Sequence, residues 1–353
     1  MKVLHIIDSL GLGGAQTIVK GIFENQRNKE NLLLFVLRKR EIETKLNSSS
    51  IMIYKSSRKY SLKPITELKK IIEKENIDIL HCHLFRSQVF GYILKKKYFP
   101  DIKLIFHEHG EIFQKHLSYN SFMKFSKKYV NLYLAVSEAT KKALVEKAGI
   151  DPKKIVVLYN FVDLKRFNRT NIKIGVNKEK ERIGIKKEEY VIGFVGRLAK
   201  VKGCEYLIKA LLYLKFQYKV IIAGDGPERK NLEKLAIKLG VRNRVIFLDY
   251  IDKPERIYPL MDVLVVPSES ESFGLSVVEA QAMGVQVIAS DVDGLKEIIN
   301  LTKSGMLFKS NDVQDLANNL NRIYGKRQFK ANISIFHIKD YLKKLNKIYM
   351  DVK

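Results

Sequence analysis

Apolar residues in this chain come in short runs, and longer stretches between them repeat with a helical period. VLHII at 3–7 is the first such run. Further strands are predicted at 32–37, 51–54, 79–81, 103–107, 132–136 and 155–158, with helices at about 14–26, 65–75, 86–96 and 138–147. Strand and helix in alternation imply βαβ units and a parallel sheet. A Lys/Glu-rich passage at 168–189 reads as a linker and an amphipathic lead-in. A second alternating set follows, with strands at 190–195, 219–223, 245–248, 263–266 and 286–288. The expected fold class is α/β: two Rossmann-like domains, 1–168 and 169–336, facing each other across a cleft.

Composition adds boundaries. At 353 residues and 46% hydrophobic content, the chain can build two cores of ordinary size. No apolar run approaches a membrane span, and VLHII before Asp8 is too short for a signal-peptide core. Cys82 and Cys204 stand alone, without metal or disulfide spacing, which points to a reducing compartment and hence the cytoplasm.

The net charge of +26 divides into +15 over residues 1–168 and +11 over the rest, so it is not a tail. Lysine bias alone is one explanation. No nucleic-acid-binding motif accompanies it. Anionic lipid is the better candidate partner, because residues 113–133 interleave Phe122, Met123, Phe125 and Tyr129 with Lys124, Lys127 and Lys128. As a helix this stretch has an apolar stripe flanked by lysines, suited to a membrane interface or to packing on the domain core. The expected location is the cytoplasm, free or peripheral on the inner face of the membrane.

The most informative segment is PSESESFGLSVVEAQAMG at 267–284. It follows a buried strand with a Phe273-Gly274-Leu275 turn and a helix of about 275–283 closed by Gly284. Glu271 lies on the loop and Glu279 two turns into the helix. The N–H groups of Gly274 and Leu275 at the helix start can meet an anion. Carboxylates on either side of an anion-binding helix end suit a sugar nucleotide, with hydroxyls flanking a diphosphate. A solvated acidic loop before a surface helix is the plainer reading of the same residues. Near the start, Gly11-Leu12-Gly13-Gly14-Ala15 opens a helix after the first strand, as phosphate-binding loops do. A dinucleotide fingerprint would need an acid at the end of the second strand. The residues there are Arg38-Lys39-Arg40, which excludes NAD though not NADP, and a reductase leaves 196–284 unexplained.

Glu271 and Glu279 in a Glu-x7-Glu pattern, followed by Ala280 and Ala282-Met283-Gly284, resemble the signature of retaining glycosyltransferases of family 4, which have the GT-B fold. Four more segments match in order: Gly13-Gly14-Ala15-Gln16, Val136-Ser137-Glu138, GRLAKVKG at 196–203 and AGDGPE at 223–228. The resemblance runs from residue 3 to about 316, with a weaker echo in a final helix (337–353) that in this family crosses back to the first domain.

The resemblance implies roles. Gly13 and Gly14 would lie beside the diphosphate and acceptor. Arg197 and Lys202 would hold the charge on the departing diphosphate. His109, in HEHG, would lie near the transferred sugar and acceptor. Glu271 would bind sugar hydroxyls and Glu279 the ribose, with Phe273, Gly274 and Leu275 also at the donor. Asp225 and Gly226 would shape the turn below. No cofactor and no metal are expected. Asp291-Val292-Asp293 resembles the metal motif of another glycosyltransferase class, but falls in a loop where family 4 has no metal site. His107 and His109 have a metal-like spacing. No carboxylate or cysteine set completes a zinc site around them, so structural roles are expected for His81, His83 and His107.

The implied reaction moves a hexosyl or N-acetylhexosaminyl unit, with retention, from a nucleotide sugar to an acceptor hydroxyl on a glycan or lipid-linked acceptor. UDP is the favoured donor nucleotide and GDP the next, in cell-surface glycan, lipopolysaccharide or glycolipid synthesis. A catalytically idle membrane or complex partner is one alternative, and a nucleotide-sugar epimerase or hydrolase is another. Product analysis separates these, since an epimerase needs no acceptor.

Overall fold

The structure, a computed structural model, describes residues 1–11, 13–26, 31–38, 51–54, 61–113, 117–172, 175–326 and 330–352. The chain divides into two compact units, Met1–Phe161 with Ile338–Lys353, and Val162–His337. The first break falls seven residues before the expected 168/169. Residues 162–167 are tied to the second unit: Val162 N–H donates to the Phe336 carbonyl at 2.9 Å, and Arg166 pairs with Glu255 at 2.8 Å.

In the first unit the elements are β1 (Val3–Ile7), α1 (Gly14–Asn25), β2 (Leu32–Val36), β3 (Ile51–Ile53), α2 (Pro64–Glu75) and β4 (Ile79–His83). They continue with α3 (Phe85–Lys97), β5 (Lys103–Glu108), α4 (Leu117–Ser126), β6 (Leu132–Ala135), α5 (Glu138–Ala148) and β7 (Ile155–Val157). The strands form a parallel seven-stranded sheet in the order β3-β2-β1-β4-β5-β6-β7. Leu4, Ile6, Leu80, Cys82, Leu104 and Phe106 cover one face and join a core with α2 to α5. Local signals fix the helix ends. Ser137 caps α5 by accepting the Thr140 N–H at 3.0 Å, and Gly149 follows in the left-handed conformation.

The second unit holds α6 (Val176–Arg182), β8 (Tyr190–Val195), α7 (Cys204–Ala210), β9 (Tyr218–Ala223), α8 (Arg229–Lys238) and β10 (Val245–Leu248). After these come β11 (Val263–Val266), α9 (Leu275–Ala282), β12 (Gln286–Ser290), α10 (Asp293–Thr302), β13 (Met306–Phe308) and α11 (Val313–Ile323). Its six strands are parallel, ordered β10-β9-β8-β11-β12-β13. The last helix, α12 (Ile338–Val352), belongs to the first unit. Buried parallel strands read as continuous apolar runs, and β11, VLVV, is buried throughout.

One expectation changes, and two features are added to the reading. Strand β13 was not anticipated; it is only three residues long. Asp293 is not in a loop: it opens α10 with φ 34°, and its carboxylate accepts from Ser270 Oγ at 2.9 Å. The stripe at 113–133 turns largely inward, since Tyr119 and Met123 are buried in the core with Phe122 against it. Leu117 and Phe125 remain exposed, and Lys96 lies 5.5 Å from the Phe125 ring. Leu12, Lys39, Arg40 and residues 114–116 and 173–174 lie outside the described residues. Among the described residues no helix is long and apolar enough to cross a membrane.

Candidate functional site

In the second unit, loops at the carboxyl ends of β8, β9 and β11 knit together through backbone bonds. Leu198 N–H donates to the Asp225 carbonyl at 2.9 Å, Glu228 N–H to the Leu198 carbonyl at 2.9 Å, and Glu269 N–H to the Val201 carbonyl at 2.8 Å. The 196–203 loop can approach this closely because its last residue is glycine. Gly203 has φ 63°, and a Cβ there would overlap the Pro267 carbonyl oxygen. Gly203→Ala is therefore expected to destabilise the second unit by about 3 kcal/mol or more. A thermal melt several degrees lower checks this; an unchanged melt refutes it.

That loop presents Arg197 to solvent and brings Lys202 Nζ onto the Glu271 carboxylate as a hydrogen-bonded ion pair. Lys202 and Glu271 were expected to serve different parts of a donor. In the structure each is the other's partner, 69 residues apart in sequence. Gly274 starts α9 with φ 88°, a conformation costly for any residue with a Cβ. The first turn of the helix beyond it offers N–H groups without intrahelical acceptors. Phe273 is placed differently from its neighbours. Its ring is buried, edge-on to Phe336 at 5.5 Å, so only its backbone is at the helix start.

Helix α9 is short, eight residues, and Glu279 is its fifth. The Glu279 carboxylate accepts from the Tyr258 hydroxyl at 2.7 Å. Burial raises its pKa to about 7, against the opposing pull of the Tyr258 hydrogen bond and the Arg166 charge. Arg166 is itself anchored, donating to Glu255 Oε2 and to the Asp252 carbonyl, both at 2.9 Å. Sequence reasoning missed Tyr258, Arg166 and Glu255. No motif spacing ties them to Glu279; only the fold does.

In the first unit, Gly13 and Gly14 are exposed at the start of α1. Asp8, at the end of β1, accepts from Arg38 at 2.6 Å and Arg86 at 3.0 Å; this cluster too was not foreseen. His109 follows β5, half-buried, with its Nε2 3.0 Å from His83 Nδ1. Burial pushes its pKa down to about 3, leaving a neutral imidazole at physiological pH. Glu108 beside it is a scaffold residue: its carboxylate accepts from the N–H groups of Gly110 at 2.8 Å and Ile112 at 3.2 Å, and from the Tyr119 hydroxyl.

The structure thus gathers Arg197, Lys202, Glu271, Gly274, Leu275 and Glu279 at the carboxyl end of one sheet. It places Gly13, Gly14 and His109 in the other unit, again at strand ends. Two cations, a helix start and two carboxylates can hold an anion flanked by hydroxyls, and a neutral imidazole can donate or accept one hydrogen bond.

Two α/β units of this topology define the GT-B class of transferases, and the comparisons agree. Residues 176–336 match the family model for glycosyl transferases group 1, and residues 33–166 match that for glycosyltransferase family 4. An uncharacterized glycosyltransferase of Methanocaldococcus jannaschii is 30% identical over 280 residues, 74% of this chain and 70% of the relative. The N-acetyl-alpha-D-glucosaminyl L-malate synthase of Bacillus anthracis is 27% identical over 326 residues, 88% of this chain and 83% of the relative. Among solved structures, Anabaena HepE in complex with UDP and glucose superposes with a TM-score of 0.85 at 22% identity, covering 99% of this chain and 100% of that one. This chain belongs to the group 1 glycosyltransferases, family 4 type, and is a transferase of GT-B fold.

Proposed function

We propose that this glycosyltransferase moves a sugar from a UDP-sugar to an acceptor hydroxyl with retention of anomeric configuration and without a metal. The observation that carries this reading is the second unit's arrangement of Lys202, Glu271 and Glu279 around the start of α9. The UDP in the HepE complex supports the choice of donor, with GDP the next candidate.

In this reading the donor diphosphate takes Lys202 from Glu271. The lysine then faces phosphate oxygens beside Arg197, and the freed Glu271 carboxylate accepts hydroxyls of the transferred sugar. Glu279 accepts the two ribose hydroxyls in place of the Tyr258 hydroxyl. As the bond from the anomeric carbon to the diphosphate breaks, Arg197, Lys202 and the helix start stabilise the growing negative charge. The departing oxygen takes the proton of the incoming hydroxyl, and the new bond forms on the same face of the sugar. His109 acts on the acceptor side by hydrogen bonding. The basic surface suits an acceptor with anionic groups, such as a lipid-linked glycan, lipopolysaccharide or glycolipid, with Leu117, Phe125 and the neighbouring lysines available to touch an anionic membrane.

Calorimetric titration of UDP and GDP in EDTA tests the donor assignment. Stoichiometric binding of UDP in preference to GDP is expected. Binding of neither, or binding only after metal is added, overturns it. Product NMR with a UDP-sugar and acceptor then reads the anomeric configuration.

A further inference from the structure

A parallel sheet with helices on both faces is ordinarily lined by aliphatic residues. Here one face of β1, β4 and β5 carries His5, His81, His83 and His107, all fully buried, and half-buried His109 just beyond the strand end. The register places His5 opposite His81 and His83 opposite His107. The rings lean along the strands, so each bonds to the imidazole one pair-step further on the next strand. His5 Nδ1 meets His83 Nε2 at 2.9 Å, His81 Nε2 meets His107 Nδ1 at 3.2 Å, and His83 Nδ1 meets His109 Nε2 at 3.0 Å. Tyr349 of α12 joins the two rows: its hydroxyl lies 2.6 Å from His81 Nδ1 and 2.9 Å from His5 Nε2. His107 Nε2 is buried without a hydrogen-bond partner. A ring nitrogen from each of His83, His107 and His109 lies within 4.8 Å of the other two.

We propose that His83, His107 and His109 form a binding site for a transition-metal dication, Zn²⁺ above all, separate from the transfer chemistry. Three imidazoles with an open fourth position are a complete zinc set. The tetrahedral ligand spacing, ~3.4 Å between nitrogens for bonds of 2.0–2.1 Å, asks for a slight opening of the 3.0 Å His83–His109 contact and for the His107 nitrogen, within 4.8 Å of both, to settle at the same spacing. His5, His81 and His83 form a second group with nitrogens this close, but all three are buried, whereas His109 gives the first group an edge towards solvent.

The two rows serve as the outer layer that metal-binding histidines require. One row runs from His83 through His5 to Tyr349, the other from His107 through His81 to Tyr349. When every N–H in both rows donates towards the tyrosine oxygen, that oxygen accepts twice. His83 Nδ1 and His107 Nε2 are then both bare, which is the form that ligates. A bound ion would also hold His109 and so withdraw it from the acceptor, making the ion an inhibitor of transfer rather than a cofactor.

The test uses the full-length, tag-free protein, stripped with EDTA and desalted, then titrated with Co²⁺ followed by visible absorption, and with Zn²⁺ in competition. One equivalent should bind with the spectrum of a nitrogen-ligated site. His83→Ala and His107→Gln should each weaken binding at least about tenfold, and Tyr349→Phe, which removes no ligand, about 10- to 100-fold. A thermal melt and circular-dichroism spectrum of each variant in EDTA, compared with the parent, report whether the first unit, which holds all three substitutions, is folded. Absence of a stoichiometric site, or binding unchanged in folded His83→Ala, His107→Gln and Tyr349→Phe, overturns the proposal. Metal binding and UDP binding are read separately, so failure of either leaves the other measured.

Discussion

Lys202→Ala is expected to lower kcat by about two to three orders of magnitude while the donor KM changes only a few-fold. The asymmetry follows from what the lysine touches. In the free protein its charge is matched by Glu271, so exchanging a carboxylate for a diphosphate oxygen changes little in the ground state. The charge on that oxygen grows only as the glycosidic bond breaks, and a cation already fixed at the strand end needs no reorganisation to meet it. Glu271→Gln makes a useful comparison, because it releases Lys202 from its partner but removes a hydroxyl acceptor. That variant should raise the sugar-dependent KM as well as lower kcat. Steady-state kinetics on both variants decides the matter. Turnover by Lys202→Ala within about fivefold of the parent would remove Lys202 from the chemistry.

Much of this architecture was legible in the residue pattern, for physical reasons. Strands buried on both faces give uninterrupted apolar runs, and VLHII, YVIGFV and VLVV each emerged with the expected boundaries. Gly274 was legible as the turn that starts α9, whereas the close approach of Gly203 to Pro267 came only from the packing. Side-chain partners were not legible, because contacts across the sheet depend on register and strand order. His107 and His109 looked like an incomplete metal motif, since the third imidazole comes from β4, 26 residues earlier than His109. The partner shared by His5 and His81 lies on the last helix, 268 residues beyond His81. The apolar stripe at 113–133 was ambiguous for another reason. A helix facing a core and one facing lipid have the same period, and the burial of Met123 beside exposed Phe125 could be read only from the packing.

Glu279→Gln is expected to make the free protein more stable and the nucleotide complex weaker. Burial raises the Glu279 pKa to about 7 from the ordinary glutamate value of 4.5. Between these values the folded chain holds a proton that the unfolded chain has lost. Stability therefore falls as pH rises through that window, and above pH 7 the charged carboxylate costs on the order of 3 kcal/mol. Glutamine keeps an acceptor for the Tyr258 hydroxyl without the charge. The variant should melt several degrees higher at pH 8, with the gain shrinking to under about 1 kcal/mol at pH 5.

Binding should move the other way. Two ribose hydroxyls need two acceptor oxygens, and an amide offers one oxygen and an NH₂ that only donates. UDP should then bind about 10- to 100-fold more weakly. In the parent protein UDP affinity should rise from pH 6 to pH 8 as the carboxylate ionises. The terminal phosphate titrates near pH 6, and Glu279→Gln isolates its share of the pH dependence. Equal melting of the two proteins at pH 8, or equal pH profiles for UDP, would mean that Glu279 carries no buried charge and meets no ribose. A stabilising substitution that disarms the site would show that the fold tolerates this carboxylate for its ligand alone.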